Sequence, residues 1–169
     1  MRTKENELDI STLLNGPIVM YHSPIILDED IKWYSQKNYR IIDISTSNWT
    51  PDNFHEKVKI SFDFPDYYGE NMTALKDCLG DLYNQKFRGL IIVLRDFDEL
   101  TALDRNLSEG LLNIISCLSR RWLVTNQFLI GVVQSNDPDL YFEPVGGEVP
   151  FWNGNEFFDK ERRNKKITH

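Results

Sequence analysis

Three short runs of apolar, strand-forming residues, near 39–44, 89–95 and 127–134, are separated by segments with helical periodicity. The stretch Leu90–Leu94 is continuously apolar, which is typical of a strand covered on both faces. Strands that alternate with helices favour a parallel sheet whose connections cross over in the right-handed sense. The sequence therefore predicts an α/β fold with a small parallel sheet covered by helices.

Local signals mark where the helices between these strands begin. Thr50 and Pro51 predict one helix start, because Thr is a good N-cap and Pro is favoured at the first helical position. Asn71 is placed to cap a second helix, and Ser108 to cap a third. Between the first two helices Pro65 must break the pattern, since the residue before a proline avoids the helical conformation.

The first part of the chain is expected to be an extension. Residues 1–38 contain a short helical pattern, a strand candidate at Ile18–Tyr21 and a helix that Asp28 is placed to cap. The pattern sharpens only after this segment, so the main domain is predicted to begin at residue 39.

The last part of the chain is expected to be an elaboration of the same domain. The regular pattern ends after residue 135, and Gly146-Gly147 can form the turn of a short hairpin. The predicted organisation is therefore an extension at 1–38, a domain at 39–135, and a C-terminal elaboration with a basic tail at 136–169.

The composition is that of one globular domain, with 41% apolar and 27% charged residues in a chain of 169. The longest apolar runs are far shorter than the roughly 18 residues that a membrane span needs. The N-terminus mixes both charge signs and lacks the apolar stretch of a secretory signal. We therefore expect a soluble, cytoplasmic protein with no membrane partner, in which Cys78 and Cys117 are reduced thiols.

The net charge of −7 is unevenly distributed. Residues 159–169 contain five Lys or Arg against two acids, whereas the rest of the chain has 14 basic and 24 acidic residues. An acidic surface repels nucleic acid and attracts cationic proteins. The charge predicts a basic protein as the partner and no direct binding to nucleic acid, and it leaves the oligomeric state open.

The sequence contains none of the usual catalytic or cofactor-binding motifs. It has no Gly-rich dinucleotide or phosphate loop, no nucleophile elbow and no Cys-x-x-Cys, and its three histidines lack metal-ligand spacing. Asp63, Asp66, Glu70 and Asp77 are the carboxylates that an acid–base or metal site would use, but hard-metal loops space their ligands more closely. The prediction is a protein that is not an enzyme and holds no cofactor or metal.

One segment carries a specific signal, since residues 64–79 read FPDYYGENMTALKDCL. This string closely resembles the signature of the barstar family, the small intracellular inhibitors of secreted ribonucleases. The resemblance covers residues 39–135, because the order of strands and helices is also the family's. It implies a three-stranded parallel sheet with helices, and a bacterial immunity protein that blocks its partner toxin, expected to be a ribonuclease, without catalysis.

The resemblance also implies which residues contact the partner. In the family the Tyr-Tyr-Gly loop, here Tyr67, Tyr68 and Gly69, enters the nuclease cleft together with the helix that follows. The helix aspartate, here Asp77, takes the place of a substrate phosphate. One of the two tyrosines is expected to cover the edge of the core, Gly69 to relieve backbone strain before the helix, and Glu70 to lie in the turn.

Two helix positions depart from the family pattern. Thr73 and Lys76 stand where well-studied members have an acid and a Trp, and no acid lies around 116–118 to match another family contact. Both residues are included in the predicted partner-binding set. They also favour the alternative function, a barstar-fold interaction or regulatory module that does not inhibit a nuclease.

Overall fold

The computed structural model describes residues 8–158, which contain six α-helices, five β-strands and a short 3-10 helix. In chain order these are α1 (Leu8–Asn15), β1 (Ile18–Tyr21), α2 (Pro24–Gln36), β2 (Tyr39–Ser45), α3 (Phe54–Ser61), α4 (Met72–Gly80), β3 (Gly89–Arg95), α5 (Phe97–Leu103), α6 (Arg105–Leu123), β4 (Phe128–Gln134), β5 (Phe151–Trp152) and the 3-10 helix Gly154–Phe158. The predicted basic tail at 159–169 and the first seven residues of the predicted extension lie outside the described residues.

The described strands form one parallel sheet in the order β2-β3-β4-β1-β5. The α/β class and the parallel, helix-covered sheet are confirmed, and β2, β3 and β4 are the three predicted strands. The prediction of three strands in the sheet is wrong, because β1 pairs with β4 and β5 pairs with β1. This pairing places β4 inside the sheet, where its residues 129–134 are all buried.

The sheet separates two apolar cores. Leu90, Ile92 and Leu94 of β3 face the larger core, which α3, α4, α5 and α6 cover. Ile91 and Val93 face the smaller core, which α1 and α2 cover. This alternation follows from the period of two along a strand. The helix of greatest functional interest, α4, thus packs on the larger core.

Two helices begin earlier than the sequence predicts. Helix α6 starts at Arg105, where Asp104 accepts a hydrogen bond from Leu107 N at 3.0 Å, and Ser108 lies inside its first turn. Helix α2 is capped by Ser23, so that Asp28 lies within the helix and not at its start. Asp and Ser are both good caps, and tertiary contacts, which the local sequence does not encode, decide between neighbouring candidates.

The segment before α3 forms the capping interactions predicted for it, although the helix itself starts at Phe54. Thr50 N donates to Asn53 Oδ1 at 2.7 Å, and Asn53 N donates to Thr50 Oγ1 at 3.3 Å. The Trp49 ring packs edge-on against Phe54, with 5.8 Å between ring centroids. Residues 51–53 are thus a turn that leads into the helix, and the predicted start at Pro51 is three residues early.

Both ends of the described chain are attached to the sheet through buried carboxylates. Asp9 of α1 is fully buried, accepts a hydrogen bond from Tyr39 Oη and forms an ion pair with Arg88 at 2.8 Å. Glu156 accepts hydrogen bonds from the backbone amides of His22 and Ser23 at 2.9 and 3.0 Å. The first set of contacts joins α1 to residues at the starts of β2 and β3, and the second joins the C-terminal elaboration to the residues that follow β1. The predicted domain limits at 39 and 135 stay a prediction.

Candidate functional site

The loop between α3 and α4 folds over the edge of the larger core. Phe64 and Tyr68 are both buried, and their rings lie 5.1 Å apart. The backbone turns sharply here, since Tyr68 N donates to Pro65 O at 3.0 Å. The buried rings thereby fix the position of the intervening residues, 65–67, on the surface.

The two tyrosines of this loop point in opposite directions. Tyr68 is 5% exposed, whereas Tyr67 is 78% exposed. This confirms the expectation that one of them covers the edge of the core. The Tyr68 hydroxyl lies 2.6 Å from His55 Nδ1, and burial raises the pKa of Tyr68 to about 12. Tyr68 thus supports the loop from inside, and Tyr67 is the ring presented to solvent.

His55 connects this loop to α3 and gives it a pH dependence. Burial lowers the pKa of His55 below its usual value of 6.5, an effect that the nearby Glu70 carboxylate partly opposes. A neutral imidazole can accept the Tyr68 proton at Nδ1, whereas the protonated ring cannot. The folded protein therefore favours the neutral ring.

We expect the protein to lose stability as the pH falls below 6.5, because the unfolded chain binds a proton at His55 more readily than the folded protein does. The contribution is fully present above the unfolded pKa and is lost as the pH falls through the folded pKa. Urea unfolding at about pH 7.5 and about pH 5.5 measures it. The variant His55→Gln should show a smaller pH difference, and an equal difference in both proteins would contradict this role.

Backbone strain in the loop falls on Asp63 and Glu70, not on Gly69. Glu70 has a φ of 52°, in the left-handed region that non-glycine residues seldom adopt, whereas Gly69 has no positive φ. The expectation that Gly69 relieves strain is therefore wrong. A Cβ at Gly69 would lie 3.3 Å from Asn71 Nδ2, so this glycine instead allows the capping side chain to approach closely.

Asn71 starts α4 as the sequence predicts. Its Oδ1 accepts a hydrogen bond from Ala74 N at 2.9 Å, and its Nδ2 donates to Gly69 O at 3.1 Å. One side chain therefore holds both the first turn of the helix and the end of the loop. This arrangement fixes α4 relative to Tyr67.

Replacing Asn71 with alanine should destabilise the protein by about 0.5–2 kcal/mol, since the first turn of α4 loses its side-chain acceptor. The free energy of unfolding, measured in urea, tests this. The control Asn71→Asp keeps an acceptor oxygen at the same place and should retain most of the stability. An equal loss in both variants would show that the cap does not account for the effect.

Helix α4 buries one face and exposes another. Leu75, Cys78 and Leu79 are buried in the larger core. Thr73 and Asp77, one turn apart, are exposed. Lys76 is partly buried at the border between the two faces. The six residues predicted to bind a partner thus lie on one loop and the helix that follows it, with all except Tyr68 at least partly accessible to solvent.

Asp77 makes no ion pair within the described residues 8–158. The pKa of the neighbouring Cys78 thiol is raised mainly by burial, and the Asp81 and Asp77 carboxylates raise it further. Asp77 and Asp81 are four residues apart and form an acidic row on the outer side of the helix C-terminus. A row of this kind offers hydrogen-bond acceptors to a cationic surface.

The loop and helix just described lie within a match to a known family. A family model for Barstar (barnase inhibitor) matches residues 40–134, more than half of the chain. The chain belongs to the barstar family. A search of curated proteins finds no match. The resemblance seen in residues 64–79 is confirmed, and members of this family are ribonuclease inhibitors and not enzymes.

In this barstar-family chain a groove that the sequence did not predict lies beside the acidic row. It runs between the C-terminal ends of α4 and α6, and its floor includes Tyr83 and Trp122, whose rings meet edge-on at 5.4 Å. The other lining residues are Gly80, Asp81, Gln85, Arg121 and Thr125. The sequence indicates only its acidic side, through the four-residue spacing of Asp77 and Asp81. The groove itself depends on the packing of α6 beside α4, which the local sequence does not encode.

Residues 8–158 contain neither a metal-binding cluster nor a membrane-spanning helix. No group of three or more His, Cys, Asp or Glu side chains in these residues could hold a metal ion. Asp63, Asp66 and Glu70 line a shallow groove, but Lys59 pairs with Asp66 at 3.4 Å and Asp77 is not among the lining residues. No helix within the same range is long and apolar enough to cross a membrane.

Proposed function

We propose that this protein is a non-catalytic, stoichiometric inhibitor that protects a bacterial cell by binding a toxin, and that this toxin is a ribonuclease. The observation that carries the proposal is that an exposed Tyr67 ring and an exposed Asp77 carboxylate lie on one loop and capped helix of a barstar-family chain. The inhibitor would act in the cytoplasm.

The chemistry of a ribonuclease cleft supports this proposal. Such a cleft binds a polyanion, so it must present Arg, Lys or His side chains. A carboxylate on a helix that is fixed by a cap and by buried leucines competes for the same groups without losing much conformational freedom. Direct binding of the acidic protein to the nucleic acid is not part of the proposal.

Within this proposal the six predicted residues have different tasks. Tyr67, Thr73 and Asp77 are exposed and would contact the partner directly. Tyr68 is buried and would act by holding the loop through His55. Gly69 allows the loop to approach the capping Asn71, and Lys76 borders the contact surface.

A second candidate function is a barstar-fold module that binds a protein without inhibiting a nuclease. Thr73 and Lys76 favour it, because the exposed face of α4 then presents fewer acids and one more cation than a purely acidic inhibitory face would. The two candidates differ in one observable property. Only the first predicts that binding abolishes ribonuclease activity.

Capture from the source cell, followed by an activity assay, tests the proposed function. The tagged protein should retain a basic ribonuclease, and titration should abolish the RNA cleavage at one inhibitor per enzyme. The inhibitor by itself should neither cleave RNA nor turn over nucleotides. Capture of a protein whose activity is unaffected by binding would support the second candidate instead.

Association with the basic partner should slow as salt is added. The stretch Asp63–Glu109 contains ten acids against five bases, and such exposed charge is screened beyond about 10 Å at 0.1 M salt. An interface of standard size, roughly 1,600 Å² in total, would be steered by this field. Stopped-flow association rates over a range of salt concentrations measure the effect, and a salt-independent rate would contradict it.

A further inference from the structure

Helices α4 and α6 run side by side in the same direction and form the groove described above. Near their starts, a Cβ at Gly110 would meet Met72, and near their ends, a Cβ at Gly80 would meet Leu118. Because both contacts advance along both helices, residues of α4 can be placed against residues of α6 in register. The groove opens after Gly80, with a volume of about 550 Å³, which is room for a partner side chain.

Charges of both signs lie at and beside this groove. Asp81 lines it, and Asp77, the other member of the acidic row, is exposed one helical turn earlier on α4. Arg121, an exposed residue of α6, also lines the groove, and the partly buried Lys76 lies one helical turn before Gly80 on α4. The surface around the groove is therefore mixed in charge and not acidic throughout.

The two cations, Arg121 and Lys76, form no ion pair within the described part of the chain. Neither Arg121 nor Lys76 has an acidic partner within 4.0 Å among residues 8–158, although Asp81 lines the same groove as Arg121. The Tyr83 and Trp122 rings line the same groove as Arg121. A carboxylate bound in the groove against these rings would be partly shielded from water, and would interact more strongly with Arg121 than one on open surface.

We infer that the partner places an acidic side chain, Asp or Glu, in this groove against Arg121, beside the basic group that it presents to Asp77. The inference rests on the proposed function and adds to it the charge pattern of the partner surface. A guanidinium pairs well with a carboxylate because it can donate two parallel hydrogen bonds. The partner is thus a protein whose contact surface carries an acidic side chain next to a basic one.

This arrangement has a consequence for specificity. A ribonuclease whose contact surface is basic throughout would bring a cation against Arg121 and Lys76, and like charges brought together in an interface disfavour the complex. Arg121 and Lys76 would therefore select against such nucleases, while Asp77 and Asp81 would attract them. The charges on α4 and α6 would therefore discriminate between ribonucleases as well as attract them.

The test uses barnase as the probe, because its substrate cleft is a basic surface and the family model names it as the family's target. Affinity is measured for the full chain and for the variants Arg121→Glu, Arg120→Glu and Asp77→Ala. Arg120 is the matched control, because it is exposed and adjacent in sequence to Arg121 but lies outside the groove. Arg120→Glu and Arg121→Glu change the net charge of the protein by the same amount. Melting curves establish that each variant is folded.

Arg121→Glu should bind barnase at least about tenfold more tightly than Arg120→Glu does, because only the former removes a cation that the basic cleft would meet. Equal affinities of the two reversal variants, or no detectable binding by either, would overturn the inference. A loss of affinity in Asp77→Ala without a gain in Arg121→Glu would leave the proposed function standing and reject only the acid in the groove. A ribonuclease captured from the source cell should show the opposite sign, with Arg121→Glu about tenfold weaker than Arg120→Glu.

Discussion

Replacing Asp77 with alanine is expected to weaken binding to the ribonuclease partner by about 2–5 kcal/mol, or roughly 30-fold to several thousand-fold. The carboxylate is proposed to lie desolvated among the cationic groups of the nuclease cleft. Its removal would leave those charges buried without an acceptor, and the cost of that exceeds the value of the hydrogen bonds alone.

The same substitution should hardly affect folding. Asp77 is exposed on the side of α4 that lies away from Leu75 and Leu79, and it makes no ion pair within residues 8–158. Its loss should change the free energy of unfolding by less than about 1 kcal/mol. The variant therefore separates binding from stability.

A dissociation constant and an unfolding curve for each variant test this separation. Glu29→Ala is the matched control, because Glu29 is an exposed carboxylate on α2, which covers the opposite face of the sheet. It lowers the net negative charge by the same amount and should leave the affinity within a few-fold of the wild type. If Asp77→Ala and Glu29→Ala bind equally well, α4 is not the inhibitory face.

The central strands could be predicted from the sequence because they are buried on both faces. Leu90–Leu94 and Phe128–Val133 are nearly continuous apolar runs. In a chain with intervening helices, a run of that kind is typical of a parallel strand covered on both faces. The width of the sheet was not predictable in the same way. β5 is two residues long, and no periodicity can be read from Phe151-Trp152.

The position of β1 in the sheet shows a related limit. The sequence predicts a strand at Ile18–Tyr21, but the local pattern does not determine which neighbouring strand it pairs with. The chain leaves β1, crosses to β2 through α2, and returns to β1 only when β4 pairs with it. Strand order of this kind follows from the burial of β4 on both sides, which is a property of the whole fold.

The candidate site divides along the same line. The loop and the start of α4 were predictable because cap, turn and buried positions follow one another in residues 64–79. Arg121 and Trp122 were not, because they come from α6, about forty residues later, and reach the site only through helix packing. The motif in residues 64–79 predicts the loop and helix that contain it, whereas the side of the groove formed by α6 can be found only from the tertiary structure.

Leu75→Ala should have the opposite effect to Asp77→Ala. Leu75 is fully buried between α4 and the larger core, so its truncation opens a cavity and should lower the free energy of unfolding by about 2–5 kcal/mol. Molecules that remain folded still present Asp77 and Tyr67 from the same helix and loop. Their intrinsic affinity for the ribonuclease should therefore change little under conditions where the variant is folded.

The control for Leu75→Ala is Leu75→Met, which nearly conserves volume and should cost less than about 1.5 kcal/mol. Urea unfolding of the two variants gives the stability difference, and binding below the unfolding transition gives the affinity. A folded Leu75→Ala protein that loses affinity as strongly as Asp77→Ala would mean that the contact surface depends on the packing of α4. In that case the inhibitory geometry would be set by the core beneath the helix, and exposed side chains alone could not account for recognition.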